Sequence, residues 1–213
     1  MNSAQNTEKL VKAFYADGFT IGMEIFSTGF SQKKLFENIR EMHESIDNFI
    51  QSFDAFVTQN GKKINCRKGC SWCCHQPVFA LSYELDYLNH FVSKNFTLQK
   101  QNEIRERAKE KQQKLKSLPE KELLNSKVPC PLLENGSCIA YEARPVACRI
   151  YLSTNVKTCL DFFHKPENKK SIPALLDFPM RAGKMMNEGF KTALKTNGKK
   201  EEEFRIEEKL TGN

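Results

Sequence analysis

All eight cysteines of the chain fall in two short stretches, and none lies anywhere else. The first stretch reads Cys66-Arg67-Lys68-Gly69-Cys70-Ser71-Trp72-Cys73-Cys74-His75. The second runs from Cys130-Pro131 through Cys138 to Arg144-Pro145-Val146-Ala147-Cys148-Arg149, with Cys159 beyond it. A thiolate is a soft ligand, and zinc or iron takes three or four of them at about 2.3 Å. The short spacing between Cys70 and Cys73 lets two sulfurs converge from one turn. Gly69 offers a backbone conformation closed to other residues, so the loop can curl around an ion. Adjacent side chains such as Cys73 and Cys74 tend to diverge, so the pair serves two ions or leaves one sulfur unused.

The second stretch carries its own turn signals. Asn135-Gly136 predicts a hairpin between Leu132–Glu134 and Ser137–Tyr141. In a two-residue turn Cys138 stands opposite Leu133, one position off the face of Cys130. Either the turn is longer, then, or Cys130 and Cys138 face different sites. Pro145 suits the first turn of a helix, which sets Cys148 near a helix N-terminus, where the macrodipole favours a thiolate. Arg144 and Arg149 either add positive charge there or pair with surface acids. His75 and His164 follow cysteines and are further candidate ligands, although a lone histidine more often makes an ordinary hydrogen bond. His43 and His90 fall on predicted helices away from the cysteines.

The flanking sequence is helical in pattern. Val11, Phe14, Tyr15, Gly18, Gly22 and Ile25 form a small-residue seam within residues 1–30. Ser31 predicts the N-cap of a helix to Gln59, with Leu35, Ile39, Met42, Ile46, Phe49, Ile50, Phe53 and Phe56 on its core face and Gly61 ending it. Ser82 predicts a second N-cap, ahead of Leu85, Leu88 and Phe91. From Thr97 to Leu118 the pattern is a polar helix with alternating charges and thin anchors at Ile104, Ala108 and Leu115, read as a solvated arm. Ile172 to Lys195 predicts a helix broken at Pro179, with Ala182, Met185, Met186, Phe190, Ala193 and Leu194 buried. The tail beyond it is charged and is expected to fray.

The fold class expected is mainly α, with helices packed around a loop-rich cysteine metal centre and at most a short β-hairpin. Residues 1–60 would supply N-terminal helices. Residues 61–165 would form the cysteine-cluster domain, with a polar helical insertion at about 97–127. Residues 166–213 would supply a C-terminal helix and charged tail, all in one compact domain.

A net charge of +7 is a mild basic excess, better read as a solvated surface than as a nucleic-acid footprint. The most apolar early segment, Ala13 to Phe30, is interrupted by Asp17 and Glu24, so no membrane insertion is expected. No secretory signal is visible. The expected location is the cytoplasm, where thiols stay reduced and clustered cysteines favour metal or redox chemistry over disulfides.

The order C-x3-C-x2-C-C, then C-P-x-L…C, then R-P-x-x-C-R, resembles the YkgJ-type cysteine-cluster family, described as zinc- or iron-chelating. The matching positions are Cys66, Cys70, Cys73 and Cys74; Cys130, Pro131, Leu133 and Cys138; and Arg144, Pro145, Cys148 and Arg149. Cys159 fits a later cysteine of the family, and Ser82 and Glu84 its usual following helix. The resemblance implies the binding of zinc or iron. The expected cofactor is zinc or iron, with an iron–sulfur cluster as one form, and all eight cysteines are candidate ligands. Cys130-Pro131 also suits an iron–sulfur site, where proline often follows a ligand. One branch of the family is similar to enzymes that methylate flagellin lysines, but no glycine-rich methyl-donor loop is present. Two alternatives stand beside a chelating protein of unassigned role. One is a metal-dependent redox or group-transfer enzyme. The other is a zinc-stapled interaction module, whose protein partner the sequence does not name.

Overall fold

The glycine seam at the N-terminus folds as α1 (Ser3–Glu24), in a computed structural model that describes residues 3–168 and 170–211. Met1, Asn2, Lys169, Gly212 and Asn213, which fall within the expected N- and C-terminal parts, lie outside the described residues. The helix stops at Glu24 rather than near residue 30. Ser31 then caps α2 (Gln32–Gln59), its hydroxyl accepting the Lys34 N–H at 3.2 Å. Leu35, Ile39, Met42 and Ile46 of α2 are buried as their spacing predicts. At the far end the expected stripe slips: Phe56 is 61% exposed, and Val57 takes the inner face.

A short strand β1 (Phe79–Leu81) leads into α3 (Ser82–Asn95), then α4 (Leu98–Lys116) and α5 (Glu120–Asn125). The hairpin β2 (Leu133–Glu134) and β3 (Ser137–Cys138) follows. Next come α6 (Val146–Ile150), α7 (Val156–His164) and α8 (Asp177–Thr196). The chain ends through β4 (Glu203–Arg205) and α9 (Ile206–Lys209). The fold is mainly α with the expected short hairpin. A second two-stranded pair, β1 against β4 with Ala80 opposite Phe204, was not legible in the charged tail.

α1 and α8 lie against each other along their length. Interior glycine costs a helix roughly 1 kcal/mol relative to alanine, so its use here needs a packing reason. A methyl group on Gly18 would drive into the Met186 carbonyl, and one on Gly189 into the backbone of Tyr15 and Phe19. At Gly22 it would stand 2.7 Å from the Ala193 Cβ. The glycines thus let two helix backbones touch. Around this seam Ile21, Ile25, Ile39, Met42, Ile46, Met186, Phe190 and Leu194 form one core, which Tyr83, Val146 and Ile150 complete.

A second core joins α3, α4 and α9 through Leu85, Leu88, Ile104, Ala108, Ile206 and Leu210, with Leu132, Ala140 and Ala143 from the cysteine-bearing segment. This core overturns two expectations. The polar helix is no arm: Ile104, Ala108, Lys111 and Leu115 are all buried along one stripe of α4. Buried Lys111 lies 3.7 Å from the carboxylate of buried Glu207, which Arg205 also meets at 2.9 Å. Nor does the tail fray, because β4 pairs with β1 and α9 docks on α4. The charges that made both segments look solvated are partly spent on each other.

Two cap expectations change as well. Leu81, not Ser82, is the cap of α3, and the Ser82 hydroxyl instead donates to the Glu201 carboxylate at 2.5 Å. Pro179 does not break a helix, because α8 begins at Asp177 and proline is tolerated in a first turn.

Candidate metal centre

The first cysteine loop is hung on the segment between α6 and α7. The Asn65 N–H donates to the Ser153 carbonyl at 2.9 Å, and the Ser153 N–H donates to the Cys66 sulfur at 3.1 Å. The chain then turns at Arg67–Cys70, with the Cys70 N–H on the Arg67 carbonyl at 2.9 Å. Gly69 takes a φ of +95° there, the conformation for which the sequence reserved it. Trp72–His75 forms a single 3₁₀ turn. It packs on α7 through Phe163, whose ring lies 5.3 Å from Trp72 and 4.9 Å from His75. Cys159 sits four residues before Phe163, and hence on the same face of α7.

The second loop meets the first through the backbone. The Cys130 N–H donates to the Cys74 carbonyl at 2.7 Å. Asn135 and Gly136 both have positive φ, 48° and 73°, so the hairpin turn is the two-residue type that their sequence predicts. Cys138 indeed stands opposite Leu133. The conclusion drawn from that register, that Cys130 must face elsewhere, does not follow. Cys130 to Leu133 is a turn, closed by the Leu133 N–H on the Cys130 carbonyl at 2.9 Å, so strand alternation does not reach back to Cys130. Cys130, Cys138 and Cys148 all pack on the second core.

Buried polar groups fasten this loop from behind. Arg149 is 1% exposed; its guanidinium pairs with Asp47 of α2 and donates to the carbonyls of Arg144 and Glu142. Arg144 stacks 3.6 Å over the Tyr141 ring, donates to the Tyr141 carbonyl at 2.7 Å and reaches Asp47 at 3.5 Å. Glu84, also 1% exposed, accepts the Val146 N–H at 2.7 Å, the Leu81 N–H at 3.3 Å and the Asn187 amide at 3.1 Å. Glu84 therefore holds the start of α6, two residues ahead of Cys148. Burial by itself would raise its pKa, but His43 beside it, the Val146 N–H and Asn187 together bring it below the ordinary value.

His43 lies 3.7 Å from Glu84, too far for a good hydrogen bond, and burial lowers its pKa. Sequence reasoning set His43 aside and passed over Asp47. The available signal was helical phase, because His43 falls between Ile39, Met42 and Ile46 on the buried stripe of α2.

The thiols differ in how readily they ionise. Burial pushes Cys66 up to about 11, against the opposing Ser153 N–H, and pushes Cys130 up to about 11, against the charge of Lys111. Cys70, Cys138 and Cys148 are raised by burial too. For Cys148 this overturns the expectation of a dipole-stabilised thiolate: α6 is only five residues long, and the apolar surroundings win. Cys73 alone is lowered, to about 7, because the Cys74 thiol hydrogen-bonds to it and outweighs its burial, with Arg144 adding positive charge; Cys74 is raised in turn.

All eight cysteines are free thiols, each partly shielded from solvent. Among the described residues no three His, Cys, Asp or Glu side chains stand close enough, as placed, to hold one ion. The donor chemistry nonetheless suits zinc or iron, with thiol sulfurs dominating two loops joined by a direct hydrogen bond. Cysteine needs only rotation about its Cα–Cβ bond to re-aim its sulfur. The imidazole of His75 is turned to the Ser71 carbonyl at 3.1 Å, and that of His164 lies near Trp72 and Phe163.

A helical frame carrying two thiol-rich loops and no disulfide defines a small cysteine-cluster protein. The sequence model of the CxxCxxCC family, whose description reads "Putative zinc- or iron-chelating domain", matches residues 65–175, and the chain belongs to that family. The match begins one residue before Cys66 and includes all eight cysteines. No curated protein and no solved structure matched the chain. Among the described residues no helix is long and apolar enough to cross a membrane.

Proposed function

We propose that this protein binds zinc or iron through thiolates drawn from Cys66, Cys70, Cys73, Cys74, Cys130, Cys138, Cys148 and Cys159. The observation that carries the reading is the meeting of the two cysteine loops, at the Cys130 N–H and Cys74 carbonyl, in a chain of a zinc- or iron-chelating family. Neither loop alone holds the full donor set. When bound, the metal would supply the positive charge that turns buried thiols into thiolates, as coordination does for cysteine generally.

Cys73 is the natural first ligand, since the hydrogen bond from the Cys74 thiol, with the charge of Arg144, holds its pKa down to about 7. The more buried thiols would then lose their protons on coordination. Metal affinity should therefore fall as pH is lowered. The reading places the protein where thiols stay reduced, as in a cytoplasm.

Anaerobic purification followed by elemental analysis and an absorption spectrum tests it. Stoichiometric zinc in colourless protein, or bound iron with sulfur-to-iron bands in the visible, supports the reading. In the second case acid-labile sulfide separates an iron–sulfur cluster from a single iron held by cysteine thiolates. Folded protein that retains no metal and takes up none under reducing conditions refutes it.

A further inference from the structure

We infer that the cysteine loops receive their metal as a carboxylate complex of net negative charge, held by Lys62, Lys63, Arg67 and Lys68 while the thiols take over the ion. The inference rests on the reading of the thiols as metal ligands and adds the form in which the metal arrives.

The basic excess of the chain is not spread over its surface. Residues 55–83 and 123–160, which carry all eight cysteines, hold eight lysines and arginines against two acids, Glu134 and Glu142. They account for six of the seven excess positive charges. From Ala55 to Tyr83 there is no acid at all. Glu134 is paired with Lys100, and Asp54, just ahead of the first stretch, accepts the Ile64 N–H at 3.3 Å.

Two of the basic residues are engaged within the fold, Arg149 on Asp47 and Arg144 on Tyr141 and Asp47. Lys62, Lys63, Arg67 and Lys68 are exposed, and among the described residues none of them has an ion pair. Arg67 and Lys68 lie between Cys66 and Cys70, and Lys62 and Lys63 within four residues of Cys66. The Lys68 ammonium stands 5.9 Å from the Tyr141 ring, over which Arg144 of the second loop stacks. The positive charge therefore borders the thiols of both loops.

Such a rim opposes the approach of a bare divalent cation and draws in an anion. The thiols behind it are only partly shielded from solvent, so a complex held at the rim can reach them. Ligand softness sets the direction of transfer, because thiolates compete for zinc and iron(II) better than carboxylates do. Metal–oxygen bonds break and metal–sulfur bonds form. The thiol protons pass to the freed carboxylates or to water, and no oxidation state changes. Charges that only offset metal-bound thiolates would favour every metal source alike, and that is the difference the experiment reads.

The test uses the full chain, reduced, anaerobic and free of metal, with cobalt(II) as the ion. Cobalt–thiolate charge-transfer bands report transfer, and far-UV circular dichroism reports folding. Stopped-flow uptake is compared from cobalt(II) citrate, a complex of net negative charge, and from the aqueous ion. In the wild-type chain the citrate rate should fall steeply with added salt, and the aqueous-ion rate should not. Lys62→Glu/Lys63→Glu/Lys68→Glu should slow uptake from citrate about 10-fold or more, with uptake from the aqueous ion unchanged or faster. Lys62→Glu/Lys63→Glu, outside the cysteine loop, carries the same comparison where the triple variant fails to fold. Citrate alone should also shift the amide resonances of residues 62–68 in the metal-free wild type and not in the variant. Equal slowing from both sources overturns the proposal, as does a citrate rate indifferent to salt. So does a single-stranded oligonucleotide that moves the same amides at lower concentration than citrate. Absence of cobalt–thiolate bands from either source fells the parent reading, and this one with it.

Discussion

Between α1 and α8 the chain brings helix backbones into contact over several turns, with glycines at the crossing and apolar side chains on both sides. Between Cys66 and Cys159 it makes short turns, a two-residue-per-strand hairpin and a five-residue helix. That region is fixed by hydrogen bonds to Ser153 and Cys74, by the buried Glu84, and by the buried Arg149 paired with half-exposed Asp47. The first region has area enough to stabilise itself by burial. The second has little regular structure and depends on point fastenings, of which a metal would be the strongest. The difference teaches that the two regions are held by different means, the helices by packed apolar area and the cysteine loops by specific bonds.

Stripping the metal with a chelator should give the largest effect, since a structural zinc contributes about 10 kcal/mol or more to a small thiolate-bound fold. Hydrogen exchange should rise across residues 65–76 and 130–160 while α1 and α8 keep their protection. Equal loss in both regions would show that the division drawn above is wrong.

Gly189→Val comes next, at about 3 kcal/mol, because the new side chain meets backbone that cannot give way. Urea unfolding measures it, and the molecules that remain folded should bind metal normally. A cost near zero would mean that the helices do not depend on this contact.

Glu84→Ala should cost about 3 kcal/mol, since it strands the Val146 and Leu81 N–H groups and the Asn187 amide away from water. Unlike the glycine variant, it should also weaken metal retention in the folded protein, because the start of α6 carries Cys148. Wild-type retention in this variant would detach Glu84 from the centre.

The smallest effect is on pH dependence. His43 has a folded pKa below its ordinary 6.5 because burial disfavours its charged form. The unfolded chain therefore binds the extra proton first, and stability falls as pH drops below 6.5. Glu84, depressed below 4.5, stays ionised in that range, and its contribution is lost only at lower pH. Below pH 6.5 the slope from His43 is at most one proton's worth, about 1.4 kcal/mol per pH unit. His43→Asn should flatten the stability–pH curve of the metal-free protein there. An unchanged slope would show that His43 already carries its proton when folded.

Much of the frame could be read from periodicity. Ser31, the α2 stripe from Leu35 to Ile46, the Asn135-Gly136 turn and Gly69 behave as local chemistry dictates, because each acts through its own few residues. The errors lie where a charged residue finds a distant partner. Lys111 on α4 and Glu207 on α9 each look like solvent-facing charges, and only their pairing buries them. The same holds for His43, Asp47 and Arg149, drawn from two segments that no local pattern connects.

The two cysteine groups, the residues able to act as soft ligands and the mainly helical fold class were determined by the sequence alone, since thiol chemistry and 3.6-residue periodicity are local properties. How the two cysteine loops meet was decided only by the tertiary structure. That depends on the Cys130 N–H reaching the Cys74 carbonyl, on α7 packing against Trp72, and on a core that three cysteines share. Such contacts join residues far apart in the chain, and spacing along the sequence cannot encode the direction in which each loop closes.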